Sequence, residues 1–257
     1  MSQKIIDQAN QLRDSGKTKE AMKILLPLTK SENYKIAVNA IISLGICYSN
    51  EGSYEKSTEL YKKAILLCEK NKWLERIGSI YRDMAIAAKG AKKYKEAEKL
   101  FLKSIDFQKK NSDEGQGLNA SLGITYSKLG LNYSETKMFL EARKAFKKAK
   151  RLLDKSDHKY WRLIEMIDES SFLARTSRDL SLRKAKKILE IAITEAIKQE
   201  KEYKLIEAFI LAGDCERGLK NIDGAKMFYS MAELALNKIF DSKEVREGFE
   251  EDLRKRK

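Results

Sequence analysis

The chain has a single proline, a single histidine and only three cysteines among its 257 residues, and each scarcity closes off a class of protein. With one proline and 13 scattered glycines, neither a turn-rich β fold nor a low-complexity disordered chain fits. Cys47, Cys68 and Cys215 are an odd number at wide spacing, so they form neither a disulfide framework nor a zinc ribbon. The lone His158 sits in the polar stretch Asp154-Lys155-Ser156-Asp157-His158, a poor setting for a general base. No glycine loop suited to phosphate is present, and paired carboxylates such as Glu250-Glu251-Asp252 lie beside basic residues in ordinary charge patterning. The expectation is a protein that is not an enzyme and needs no cofactor or metal.

Long apolar runs are also missing. None approaches the roughly 20 residues that span a bilayer, and the opening Met1-Ser2-Gln3-Lys4-Ile5-Ile6-Asp7 lacks the apolar core of a secretory signal. A cytoplasmic location without membrane association is therefore expected. No linker-like stretch divides the chain, so one extended domain is expected.

What is present is periodicity. A small-large-small series at helical spacing runs through Ser57, Tyr61 and Ala64. It recurs at Ala97, Phe101 and Ser104, at Ala142, Phe146 and Ala149, at Ala185, Leu189 and Ala192, and at Ala225, Tyr229 and Ala232. An earlier copy passes through Ala21, Leu25 and Leu28. The large members, at 25, 61, 101, 146, 189 and 229, are 36 to 45 residues apart. Each such helix follows another with a small residue for close approach, expected at Ala9, Gly45, Ala85, Gly123 and Gly213, with Leu173 standing near that place in the fifth copy.

The pattern resembles the tetratricopeptide repeat. Two segments carry the resemblance: Leu44-Gly45 with Tyr48, Ser57, Tyr61 and Ala64, and Leu122-Gly123 with Tyr126, Ala142, Phe146 and Ala149. It implies an all-α, right-handed solenoid of about six helix-turn-helix repeats near 2–30, 34–71, 76–110, 113–153, 158–199 and 202–238, closed by a charged capping helix over 241–256. The repeats are longer than the family's usual unit. Leu131 to Lys137 reads as an insertion between two helices, either a contact loop or a helix extension, and Pro27 is expected to kink or end its helix.

In such an array the concave face is lined by first-helix residues that do not pack between repeats. The candidates are Asn39, Ile42, Ile46 and Ser49, then Arg82, Ile86 and Lys89, then Ile124, Ser127 and Lys128. Ile46, Ile86 and Ile124 would form an apolar strip with polar flanks, suited to a peptide or helix bearing apolar anchors and acidic flanks. The opposing expectation is that the solenoid's own helices cover the strip.

The net charge of +14 supports a second candidate surface, Arg143, Lys144, Lys147, Lys148 and Arg151, for RNA or another polyanion. The excess belongs to residues 1–199, because residues 200–257 carry 12 basic and 13 acidic side chains. Lysine outnumbers arginine, and no exposed aromatic stripe offers base stacking, so a protein partner is preferred. A peptide-sensing regulatory subunit is the third reading.

Overall fold

The computed structural model describes residues 2–14 and 16–239, and the expected capping helix over 241–256 lies outside them. Twelve helices are described: α1 (Ser2–Asp14), α2 (Thr18–Leu28), α3 (Tyr34–Asn50), α4 (Tyr54–Lys70), α5 (Leu74–Gly90), α6 (Tyr94–Asn111), α7 (Gln116–Glu135), α8 (Phe139–Leu153), α9 (Lys159–Arg175), α10 (Asp179–Lys198), α11 (Glu202–Gly218) and α12 (Ile222–Ile239). Each odd helix packs antiparallel on the next even one, and successive pairs stack into an all-α solenoid.

Local chemistry explains where the helices start and stop. Asn33 caps α3 by accepting hydrogen bonds from the backbone N–H groups of Lys35 and Ile36 at 3.1 and 3.4 Å. Glu55, Glu96, Glu141 and Asp179 place negative charge in the first turns of α4, α6, α8 and α10, against the positive end of the helix dipole. Pro27 is the penultimate residue of α2, which ends at Leu28.

The large residue of each second helix is the core of its repeat. Leu25, Tyr61, Phe101, Phe146, Leu189 and Tyr229 are all fully buried or nearly so, a contribution of about 1.5–3 kcal/mol per side chain. Each ring needs a small partner on the facing helix. A Cβ on Gly45 would stand 2.8 Å from the Tyr61 ring, and one on Gly213 would stand 2.4 Å from that of Tyr229.

Repeat four departs from expectation here. The residue lying against Phe146 is Gly130, where a Cβ would come within 2.8 Å of the ring, whereas Gly123 faces Leu153 two turns away. Gly45 precedes Tyr61, Ala85 precedes Phe101 and Gly213 precedes Tyr229 by the same 16 residues that separate Gly130 from Phe146. The repeat motif therefore reads Leu129-Gly130 with Tyr133, and Leu131 to Glu135 is the last part of α7 rather than an insertion.

The turn inside each pair holds one residue in the left-handed region: Gly16, Gly52, Lys92, Lys137, Ser177 and Lys220. Five of these follow the small first-helix residue by seven positions. In repeat five, Ser177 follows Leu173 by only four, so α9 stops early and α10 begins a turn sooner.

Candidate functional site

The odd helices form the inner layer. Asn39 of α3 joins its neighbours on both sides, donating to Gln3 Oε1 of α1 at 3.4 Å and accepting from Arg76 Nη2 of α5 at 3.2 Å. Further along, Ser127 and Lys128 of α7 both donate to Asp168 of α9, at 2.7 and 2.8 Å. The layer is strongly curved. The Arg82 guanidinium of α5 lies 5.7 Å from the Trp161 ring centroid of α9, with α7 between them in sequence.

This inner face holds cations that the protein only partly satisfies. Arg82 donates from Nε to Asp83 at 3.3 Å, but its Nη1 and the Nε of Arg76 are buried with no acceptor within hydrogen-bond distance. Burial pushes the Arg76 guanidinium below its usual range. Burial, followed by the charge of Lys128, does the same to Lys89. Such groups bind an incoming carboxylate or carbonyl strongly, because the cost of their desolvation has already been met by folding.

The expected groove residues do not all reach this surface. Asn39, Ile46, Ser49, Arg82, Ile86, Lys89 and Lys128 are partly accessible, while Ile42, Ile124 and Ser127 are buried. Ile124 leaves the strip because of the register of α7: the residue following Gly130, as Ile46 follows Gly45, is Leu131, which is half-buried. Lys128 is tied to Asp168 rather than free. Arg76 and Trp161 belong to the face and were not singled out by the sequence reading. Arg76 lies 37 residues beyond Asn39, close to one repeat, which is the signal that could have found it.

On the opposite side, Arg143, Lys144, Lys147, Lys148 and Arg151 are all exposed on α8, as their helical spacing implies. The structure divides them. Arg143 and Lys147 line a cleft facing α10, and Lys148 lies over the Tyr126 ring at 4.5 Å. His158 is exposed and stacks on Trp161 with ring centroids 4.5 Å apart. The three cysteines are buried, and desolvation pushes the thiols up to about 11 for Cys47 and Cys68 and about 12 for Cys215, which leaves them unreactive. Among the described residues no group of three or more histidine, cysteine or carboxylate side chains could hold a metal, and no helix is long and apolar enough to cross a membrane.

Paired helices stacked in one direction around a curved inner layer define a helical repeat solenoid. One of its repeats is of the tetratricopeptide type: the family model for that repeat matches residues 38–71, which cover most of α3 and all of α4. The apo form of RapI shares the fold at a TM-score of 0.67 with 16% identity, over 93% of this chain and 84% of that one. BtubC (BKLC) from P. vanneervenii is similar at 0.62 and 14%, over 90% and 92% of the two chains. A signal-transduction ATPase with numerous domains and a tetratricopeptide repeat sensor, from Pyrococcus horikoshii, aligns at 0.62 and 17%, over 93% of this chain and 36% of its own. Comparison with curated protein sequences finds no match. Solenoids of this type generally mediate protein–protein interaction.

Proposed function

We propose that the chain is a non-catalytic, cytoplasmic adaptor that holds a segment of a partner protein along its inner face. The observation that carries this reading is a pair of partly accessible arginines, Arg76 and Arg82, in which one guanidinium nitrogen each, Nε and Nη1 respectively, is buried without an acceptor. A buried donor left without a partner costs about 1–3 kcal/mol, so an extended or helical guest that supplies carboxylates or carbonyls recovers that energy. Ile46 and Ile86 beside them are half-buried and offer apolar contact. The guest that fits is a peptide with apolar anchors and acidic flanks.

The test is a nuclease-treated pull-down from native lysate with the wild type and an Arg82→Glu/Ile86→Glu variant compared side by side. A protein captured by the wild type and lost by a variant that still melts cooperatively supports the inner face. Retention of every captured protein by that variant overturns it.

A further inference from the structure

The second helices of repeats four and five do not close on each other. At the other junctions the incoming first helix leans mainly on the preceding second helix, but α9 packs chiefly on α7 and only lightly on α8. The early turn at Ser177 adds to the gap by starting α10 a turn sooner, which leaves Leu180 82% exposed at its lip. Between α8 and α10 runs a cleft of about 1150 Å³.

Its floor and walls differ in character. Phe146 and Phe172, stacked with centroids 5.3 Å apart, form the base with Leu173, and Leu219 in the α11–α12 turn closes one end. The walls are mainly basic, although the carboxylate of Glu190 on α10 also lines them. Of the lysines on α10, Lys184 pairs with Glu169 at 3.0 Å and Lys186 with Glu216 at 2.6 Å. Arg143, Lys147 and Lys150 on α8 and Arg183 and Lys187 on α10 line the same cleft with no carboxylate in ion-pairing range among the described residues. These positions follow i, i+4, i+7 on α8 and i, i+4 on α10, so each set lies along one helix face. At a rise of about 1.5 Å per residue, the lined stretch from Leu180 to Glu190 is roughly 15 Å long, close to three turns of a guest helix.

We propose that this cleft is a docking site for an acidic amphipathic helix of a partner protein. The volume exceeds the roughly 300–1,000 Å³ typical of small-molecule pockets. Apolar guest side chains meet Leu180, Leu219 and the methylene stems of the lysines, while glutamates or aspartates on the guest's flanks meet both basic walls. A nucleic-acid backbone has no use for an apolar floor, and the two phenylalanines are too deeply buried to stack with bases. Its basic walls lie on the even helices α8 and α10, over a base shared by α8 and α9, and it includes none of Arg76, Arg82 and Ile86, so it stands or falls separately from the inner-face reading.

The probe is a dye-labelled synthetic helix of roughly four turns with leucine at i, i+3 and i+7 spacing and glutamate between, followed by fluorescence anisotropy. In an Ile86→Glu background, which removes the inner face as a competing site for a guest of this chemistry, the protein is expected to bind it, with binding weakened at least about tenfold by Lys147→Glu/Lys187→Glu and by Leu180→Glu. A scrambled peptide of the same composition should bind at least about tenfold more weakly, because it cannot present its leucines on one face. Lys147, Leu180 and Lys187 are exposed, so circular dichroism melts of their variants should match that of Ile86→Glu alone. Equal binding of the scrambled peptide, indifference to Lys147→Glu/Lys187→Glu, or tighter binding of a single-stranded RNA oligonucleotide through the same lysines overturns the proposal.

Discussion

Arg82 and Trp161 meet across the interior although 79 residues and one whole helix pair separate them, the guanidinium standing 5.7 Å from the ring centroid. This contact makes Trp161 a reporter of the inner face. Trp73 is the only other tryptophan and lies under Arg76. In a Trp73→Phe background, a guest that takes up the Arg82 guanidinium should change Trp161 emission, and Arg82→Leu should abolish that change; a fluorescence titration reads both. Emission that ignores a bound inner-face guest would place the guest elsewhere.

The register of repeat four can be tested by stability. Gly130→Ala pushes a methyl group against the Phe146 ring, and overpacking of this kind costs about 1–3 kcal/mol. Gly213→Ala, against Tyr229, should cost a similar amount. Urea titration measures both, and a neutral Gly130→Ala would remove Gly130 from the position assigned to it.

Lys92, Lys137 and Lys220 occupy the turn position that Gly52 fills in repeat two, with φ of 59°, 61° and 63°. A side chain in the left-handed region costs about 1–2 kcal/mol, partly offset by the greater freedom glycine has in the unfolded chain. Each Lys→Gly replacement should therefore raise stability by roughly 0.5–1 kcal/mol, seen as a higher urea midpoint at unchanged slope.

Glu165 of α9 supplies a pH dependence. Burial, then the charge of Glu169, pushes its carboxyl up from 4.5 to about 8, and its Oε1 has no hydrogen-bond partner. Asp168 adds to the upward push, while Lys150 and Arg162 oppose it. Between these two values the folded chain holds a proton that the unfolded chain releases, so this group's contribution to stability falls as pH rises from about 4.5 to about 8 and is level above. Glu165→Gln should raise Tm at pH 8 more than at pH 5, by at least about 2 °C given the usual sensitivity for a chain of this size. Equal shifts at both pH values would show that Glu165 is ionised in the fold.

The repeat architecture was legible because it rests on residue size at fixed spacing: Tyr61, Phe101 and Tyr229 announce their helices, and all three are buried. Repeat four was misread because α7 contains two Leu-Gly pairs, Leu122-Gly123 and Leu129-Gly130, seven residues and thus two turns apart on one face. Only the constant distance from small residue to large one separates them. The α8–α10 cleft was half legible. The basic residues of both helices stand out in the sequence, but their confrontation depends on how α9 divides its packing between α7 and α8, which is a balance of long-range contacts. The unsatisfied guanidinium nitrogens depend in the same way on curvature, which no single repeat encodes.

The buried core divides where the cleft opens. One apolar cluster runs from Val38 to Ala149 and another from Ala142 to Leu236, with α8 supplying buried residues to both and Tyr133 of α7 packed against each, while a third, from Ile6 to Cys47, meets the first at α3. A stack of repeats is a curved beam, and such a seam is where a curved beam yields most easily. Flexing there shortens the inner arc as it lengthens the outer one. The space around Arg82 and Trp161 and the width between α8 and α10 are thus opposite sides of one bending line.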